Sequence, residues 1–252
     1  YSGVPTMHQT IMLRAEKNLD LAKNLNLRLV RSSSASLPPA VFEKLNKVFN
    51  CPVIEAYGMT EATHQMTSNP LPPKKQKAGF VGIPAGPQVA IMDDNYKIMK
   101  SGEVGEICIK GNNVTSGYEN NPEANKTSFN GGWFRTGDQG FFDENGYLKI
   151  SGRLKEIINK GGEKISPLEV DNVLMDHPSI EQAVCFGYED KMLGEDIATA
   201  IILKEGINLS EADLKIYAKE KLAKFKIPKK IFFVTEIPKG ATGKLQRNVL
   251  AK

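Results

Sequence analysis

The chain has 252 residues, 40% of them apolar and 25% charged, with a formal net charge of +4, which supplies a buried core and excludes a disordered segment. The near balance of charge excludes a composition directed wholesale at polyanions, while leaving room for a local basic patch. No window approaches the run of about 18 apolar residues that a membrane span needs, and Tyr1-Ser2-Gly3-Val4-Pro5 lacks the charged-then-apolar layout of a secretory leader, so a soluble intracellular chain is expected. Cys51, Cys108 and Cys185 are odd in number and outside any CxxC spacing; they read as buried small hydrophobes, without disulfide or zinc.

In chain order, Arg28-Leu29-Val30-Arg31 is a short β-like run that breaks into Ser32-Ser33-Ser34-Ala35-Ser36. Pro38-Pro39 then opens a helix with Val41, Phe42, Leu45, Val48 and Phe49 at helical spacing, stopped by Cys51-Pro52. Val53 to Tyr57 is a second strand, ending in Gly58-Met59-Thr60-Glu61. Strand, helix, strand is the pattern of a parallel α/β sheet, whose ligands sit beyond the carboxyl ends of the strands. The serine run and the Thr60-Glu61 turn both fall there.

From about Ala78 to Ser151 short strands alternate with Gly, Asn and Asp turns: Val89 to Met92, Glu106 to Lys110, Trp133-Phe134 and Tyr147 to Ser151. This predicts a small β subdomain, with one helix started at Asn121-Pro122-Glu123. The remaining stretch has its own rhythm. Ser166-Pro167-Leu168-Glu169 predicts a capping box, flanked by Ile165 and Val170 as a hydrophobic staple, on a helix ending before His177-Pro178. Strands at Ala183 to Phe186 and Ile197 to Leu203, a helix capped by Ser210, and a last strand at Ile231 to Val234 complete an α+β unit of about 100 residues.

Pro238-Lys239-Gly240-Ala241-Thr242-Gly243-Lys244 invites a phosphate-loop reading, but Pro238 and Leu245 stand where that motif needs glycine and Ser/Thr. What survives is a lysine on a glycine-flanked turn, able to bring one cation to a phosphate or carboxylate, or else a solvated turn. From Lys219 to Lys252 ten Lys/Arg face two Asp/Glu. With no nucleic-acid motif and no interleaved aromatics, a solvated face or attraction for a polyanionic small molecule is expected, and no nucleic-acid partner. Asp138 in Thr136-Gly137-Asp138, placed at the end of a short strand, could accept from a vicinal diol or be only a turn. Glu61 could bind a hard cation beside a phosphate.

Taken together, Glu55-Ala56-Tyr57-Gly58-Met59-Thr60-Glu61, Trp133-Phe134-Arg135-Thr136-Gly137-Asp138, Gly152-Arg153-Leu154-Lys155-Glu156-Ile157-Ile158 and Thr242-Gly243-Lys244 resemble, in order and spacing, the adenylate-forming superfamily of acyl-CoA synthetases, luciferases and peptide-synthetase adenylation domains. The resemblance covers essentially the whole chain, as the C-terminal half of such an enzyme. It implies a fold of mixed class: residues 1–152 as the trailing α/β part of a large AMP-binding domain, with the β subdomain at about 78–151, and residues 153–252 as a compact, mobile α+β domain.

The resemblance also implies a two-step reaction with ATP, Mg²⁺ and coenzyme A: a carboxylic acid becomes an acyl-adenylate with release of pyrophosphate, then a thioester. By carry-over, Ser34, Ala35, Ser36, Tyr57 and Gly58 line the adenine, Thr60 meets phosphate, and Glu61 helps hold Mg²⁺. Asp138, assisted by Arg153, takes the ribose hydroxyls. Lys244 bridges phosphate and substrate carboxylate, stabilising charge without acting as a base. Lys155 is the hinge of the mobile domain, and Lys160-Gly161-Gly162 comes to the acyl site in the thioester-forming pose, where glycine permits close backbone approach; a plain hairpin turn is the other reading of those glycines.

Finer similarity, in Glu61 to Pro70, Asn120 to Lys126 and Asn159 to Pro167, is to the oxalate-directed members. A second carboxylate needs donors, for which His64 and the hydroxyls of Ser32 to Ser36 are candidates; a histidine bonded to backbone is the alternative for His64, and His8 and His177 read as structural. Medium-chain, aryl or malonyl acids, and a non-catalytic nucleotide- or CoA-binding module, stay open. The superfamily's phosphate loop has no counterpart here, so a fragment of an enzyme about twice this length is expected. The location is cytoplasmic, or peroxisomal if a signal beyond Leu250-Ala251-Lys252 has been lost.

Overall fold

Proline at the first position of a helix and a left-handed residue just past its end frame the element on which the first layer is built. Pro39 starts α3 (Pro39–Phe49), Phe42, Leu45, Val48 and Phe49 are its buried face, and Asn50 at φ +45° terminates it. The structure, a computed structural model, describes residues 1–240 and 245–251. The chain divides into two compact units, Tyr1–Ser151 and Gly152–Lys252.

The first unit begins with β1 (Ser2–Gly3), α1 (Pro5–Glu16), α2 (Leu19–Lys23) and β2 (Val30–Ser32), and continues after α3 with β3 (Val53–Met59), a 3-10 turn at Thr60–Ala62, β4 (His64–Ser68) and β5 (Ile83–Pro84). Two helices in the first 23 residues are additions to the sequence reading. Strands β1, β2 and β3 are parallel, while β4 runs antiparallel to β3 and β5 antiparallel to β4. Met12 and Ala15 of α1, Ala22 of α2 and the apolar face of α3 close on Val30 and Val53 from one side. This leaves the carboxyl ends of β2 and β3 to polar loops.

The same unit then folds β6 (Gln88–Met92), β7 (Gly105–Lys110), α4 (Pro122–Ser128), β8 (Phe129–Asn130), β9 (Trp133–Phe142) and β10 (Leu148–Arg153) into an antiparallel sheet of order β10-β9-β7-β6, with β8 on β9. One expectation is corrected here. Trp133-Phe134 opens a ten-residue strand, so Asp138 lies inside β9 and not at a strand end. Gly137 at φ +73° absorbs an irregularity opposite Glu106 and Cys108, which lets the strand continue through what reads locally as a turn.

The second unit contains a 3-10 turn at Leu154–Glu156, β11 (Ile158–Lys160), β12 (Glu163–Ile165), α5 (Pro167–Met175), β13 (Ile180–Asp190), β14 (Gly194–Leu203), α6 (Glu211–Lys221), β15 (Lys230–Phe233) and α7 (Arg247–Leu250). Alternation along β13 and β14 serves two faces. Ala183, Cys185, Ile197 and Ile201 pack with Val170 and Leu174 of α5 and Leu214 and Ala218 of α6, whereas Val184, Phe186, Ala198 and Ala200 pack with Val234, Ile237 and Leu250.

Ser210 caps α6 as expected, accepting from Asp213 N–H. The capping box at α5 does not form: Ser166 is the N-cap residue but makes no side-chain cap bond. Pro167, with no N–H, occupies the first position, and the Glu169 carboxylate turns outward to Lys226, both oxygens at 2.7 Å from Nζ. Ile165 and Val170 are nonetheless both buried in the same core. All three cysteines are buried and free. Among the described residues no helix is long and apolar enough to cross a membrane.

Candidate active site

The parallel arrangement of β2 and β3 points the Ser33–Ser36 loop and the Thr60–Ala62 turn the same way. In the loop, Ser34 is exposed at φ +75° and Ala35 is exposed, while Leu37 drops into the core. Leu37 N–H donates to Glu55 Oε1 at 2.8 Å, so a carboxylate inside β3 fixes the end of the loop. Glu55 is fully enclosed, and that desolvation, only partly opposed by the Leu37 N–H, pushes its pKa from 4.5 up to about 8. Glu55 Oε2 and Ser32 Oγ, on neighbouring strands, are buried polar atoms with no hydrogen-bond partner among the described residues. Sequence reasoning passed over Glu55, although an acidic residue in an otherwise apolar strand was the signal for it.

At the end of β3 the chain meets its close neighbours. Tyr57 packs between the clusters around Met66 and Ile107, and its hydroxyl donates to Asp138 Oδ2 at 2.6 Å. Asp138 is 6% exposed, and its N–H donates to Thr136 Oγ1. Two residues 81 apart in sequence, each marked as a nucleotide contact, are thus in direct contact. Gly58 sits at a register shift against β4, where a Cβ would lie 1.4 Å from the carbonyl oxygen of His64. Backbone clearance alone therefore requires glycine at that position.

Thr60 is exposed on the 3-10 turn, and Glu61 is partly buried beside it. Glu61 Oε1 accepts from the Tyr118 hydroxyl at 2.8 Å, and Glu61 O accepts from Thr115 N–H at 2.7 Å. Asn113 adds a bond from Nδ2 to Ala62 O, so the 111–120 loop is laced over the turn. Burial, then the bond to Glu61, raises the Tyr118 phenol. No local pattern marks Tyr118, because its partner is 57 residues away.

His64 is exposed in the left-handed region at φ +83°, with Nε2 3.4 Å from Arg31 Nη2. The same Arg31 nitrogen donates to Gln65 Oε1 at 3.3 Å, and Nη1 to Ser33 Oγ at 3.2 Å. Among the described residues the His64 ring thus has a side-chain partner, where a backbone bond was the alternative reading, and Arg31 is an unforeseen cation between two candidate acid-binding positions. His8 is buried with its pKa lowered by burial. His177 stacks edge-on against Tyr217 and accepts from Ser179 N–H, a structural use.

In the second unit, Arg153 and Lys155 are exposed at the end of β10 and on the 3-10 turn. Gly161 and Gly162, at φ +57° and +94°, form the exposed turn of the β11–β12 hairpin. Lys160 is spent inside the unit: its Nζ pairs with buried Asp196 at 2.5 Å. Burial would raise the Asp196 carboxyl, but Lys160, the Ile197 N–H and Lys229 hold it below its usual range. The side chain of Lys160 thus has an internal partner, and the backbone of Gly161 and Gly162 is what the hairpin presents. The basic run is likewise partly consumed, with Lys221 on Asp176, Lys226 on Glu169 and Lys229 on Asp190. Lys244, the expected cation, lies outside the described residues.

Among the described residues no group of three or more His, Cys, Asp or Glu could enclose a metal ion. A single carboxylate such as Glu61 fits Mg²⁺ only where substrate phosphates and water complete the shell, which is the usual manner of that ion.

Residues 1–119 match the family model described as AMP-binding enzyme, and residues 169–244 match that of the AMP-binding enzyme C-terminal domain. The chain is 50% identical to the oxalate–CoA ligase of Arabidopsis thaliana over 253 residues, taking in 100% of this chain and 49% of that protein. It is 52% identical to the oxalate–CoA ligase of Saccharomyces cerevisiae over 254 residues, 100% of this chain and 46% of that one. Its fold matches the crystal structure of ATP-bound MatB from Rhodopseudomonas palustris with a TM-score of 0.92 at 32% identity, covering 99% of this chain and 50% of the other. The chain thus spans about half the length of the curated relatives it matches.

Proposed function

The chain belongs to the adenylate-forming family of AMP-binding enzymes, and from that premise we propose that its parent is an ATP-dependent acid–CoA ligase directed at oxalate. Residues 1–152 are the trailing part of its large domain and residues 153–252 its mobile domain. The observation that carries the reading is the convergence of Tyr57, Asp138, Glu61 and Tyr118 at the carboxyl end of β3.

In this reading Ser34, Ala35, Ser36, Tyr57 and Gly58 line the adenine. Asp138, aimed by the Tyr57 hydroxyl, accepts from the ribose hydroxyls, with Arg153 assisting. Thr60 donates to phosphate. Glu61, oriented by Tyr118, supplies the protein carboxylate for Mg²⁺, which when bound neutralises charge on the phosphates. Lys244 places a fixed cation where charge develops as the acid oxygen attacks the α-phosphorus and pyrophosphate departs. The second unit turns at Lys155, and Gly161 and Gly162 admit the CoA thiol to the acyl carbonyl, expelling AMP. An intracellular location, cytoplasmic or peroxisomal, belongs to the same proposal and is in keeping with ATP and CoA as co-substrates.

Oxalate is favoured by two observations. The relatives named oxalate–CoA ligases are 50% and 52% identical to this chain over the aligned residues, and Arg31 with His64 forms a polar, donor-rich pair suited to a second carboxylate and unsuited to a fatty chain. The test is pyrophosphate release by the full-length parent across oxalate, malonate, benzoate and octanoate with ATP, Mg²⁺ and CoA. Oxalate should give the highest kcat/KM. Preference for octanoate or benzoate would refute the acid assignment, and no acid-dependent pyrophosphate would refute the activity.

A further inference from the structure

The described chain on either side of the Lys244 segment is held in place. Lys239 and Leu245 form an antiparallel bridge, and Gln246 N–H donates to Pro238 O at 2.9 Å. Two residues past the bridge, Arg247 opens α7 with a side chain only 17% exposed. Its Nη2 donates to Asp171 Oδ2 at 2.7 Å, its Nε to Glu156 Oε2 at 3.0 Å, and its Nη1 to the carbonyl of Cys185. Asp171 Oδ1 in turn accepts from Cys185 N–H at 2.5 Å.

These anchors come from three elements: the 3-10 turn that carries Lys155, helix α5, and strand β13, which ends the sheet beside β14. Burial acts to lower the Arg247 pKa, but Asp171 and Glu156 outweigh it and raise it, so the guanidinium stays charged. Burial acts most strongly on Asp171 and raises its carboxyl, against the pull of Arg247. A buried arginine fork between two carboxylates adds little net stability over an apolar contact of the same shape, yet its geometry is directional and hard to replace. Such a fork is suited to fixing a position.

We propose that Arg247 is a positioning residue for the adenylation step: it pins the strap of residues 245–247 to α5, β13 and the Lys155 turn. The proposal rests on the reading of Lys244 as the adenylation cation.

The test uses the full-length parent and measures the half-reactions separately, as acid-dependent ATP–pyrophosphate exchange and as thioester formation from CoA and supplied acyl-adenylate. Arg247→Gln should lower kcat for adenylation by about 10- to 100-fold while KM for ATP and the thioester half-reaction each change by less than about threefold, since a misplaced group loses rate before it loses binding. Arg247→Lys should recover part of the loss, and Glu156→Gln should show a smaller loss of the same kind. An equal fall in both half-reactions, or a rise in KM for ATP that accounts for the loss, overturns the proposal in favour of a structural role. If Arg247→Gln does not fold, as judged by melting, Glu156→Gln decides: selective loss of adenylation supports the clamp and its absence refutes it. Lys244→Ala separates the two levels. Adenylation lost there but retained in Arg247→Gln sinks the clamp alone, whereas adenylation retained in Lys244→Ala sinks the reading beneath it.

Discussion

Replacing Glu55 by glutamine should remove a pH dependence that the wild-type chain carries through its core. Glu55 is 2% exposed, with the Leu37 N–H as the donor to its carboxylate, and burial lifts its pKa from 4.5 to about 8. Between those values the folded chain keeps a proton that the unfolded chain has released, so stability falls as pH rises, and levels off above about 8. The slope is about 1.4 kcal/mol per pH unit and the whole span is on the order of 5 kcal/mol. Glutamine has the same shape, accepts the Leu37 N–H through its own Oε1 and does not titrate. The variant should therefore gain on the wild type by roughly 3 kcal/mol between pH 5.5 and 7.5. Other carboxylates, such as Asp143 and Asp196, both held below their usual range, work in the opposite direction but act equally in both proteins. The assay is urea unfolding at pH 5.5, 6.5 and 7.5, followed by the fluorescence of Trp133, the chain's single tryptophan, which lies in the first unit. A gap between variant and wild type that does not widen with pH would refute the argument.

Tyr57→Phe should cost roughly 1–3 kcal/mol in the same Trp133 assay, because buried Asp138 loses a charge-assisted donor at 2.6 Å. Gly58→Ala should cost about 3 kcal/mol or more, or prevent folding, since its Cβ would fall 1.4 Å from a backbone oxygen that cannot rotate away; a variant that melts with the wild type would contradict the register drawn for β3 and β4. Tyr118→Phe in the full-length parent should raise the Mg²⁺ concentration for half-maximal pyrophosphate release by about tenfold, through loss of the group that orients Glu61, and an unchanged Mg²⁺ titration would remove Glu61 from the metal's surroundings. Cys51, Cys108 and Cys185 should stay unreactive to a thiol reagent in the folded chain and all react in denaturant, because burial raises each thiol, that of Cys108 to about 12.

Much of the fold is written in local patterns. The apolar period of α3, its proline start and the Cys51-Pro52 stop reappear within a residue, as do Val53 as the first residue of β3 and the Ser210 cap of α6. What the sequence hides are choices made between remote groups. Ser166 and Glu169 have the spacing of a capping box, but Glu169 finds Lys226 57 residues on, and a helix whose first position is already a proline has one fewer N–H to satisfy. Gly137 looks like a turn because a positive φ usually ends a strand. Here the extra residues around Gly137 bulge within β9 opposite Ile107 of β7, and β9 continues on the far side.

The same logic separates the visible from the invisible parts of the site. Tyr57, Glu61 and Asp138 stand in short motifs, so residue type and order reveal them. Tyr118, Arg31 and Arg247 act through partners 57, 33 and 76 or 91 residues away, with nothing local to mark them. Charge counting misleads most at the C-terminal end. Ten basic residues against two acidic ones suggest a cationic surface, yet Lys221, Lys226, Lys229 and Arg247 each close on an acid from an earlier element: Asp176, Glu169, Asp190 and Asp171. Those acids lie outside the window in which the charge was summed, so the excess is a property of the window more than of the surface. A basic segment of this kind is held to its unit by the charges it brings, and the field left for an anionic ligand is set by the cations that find no such partner.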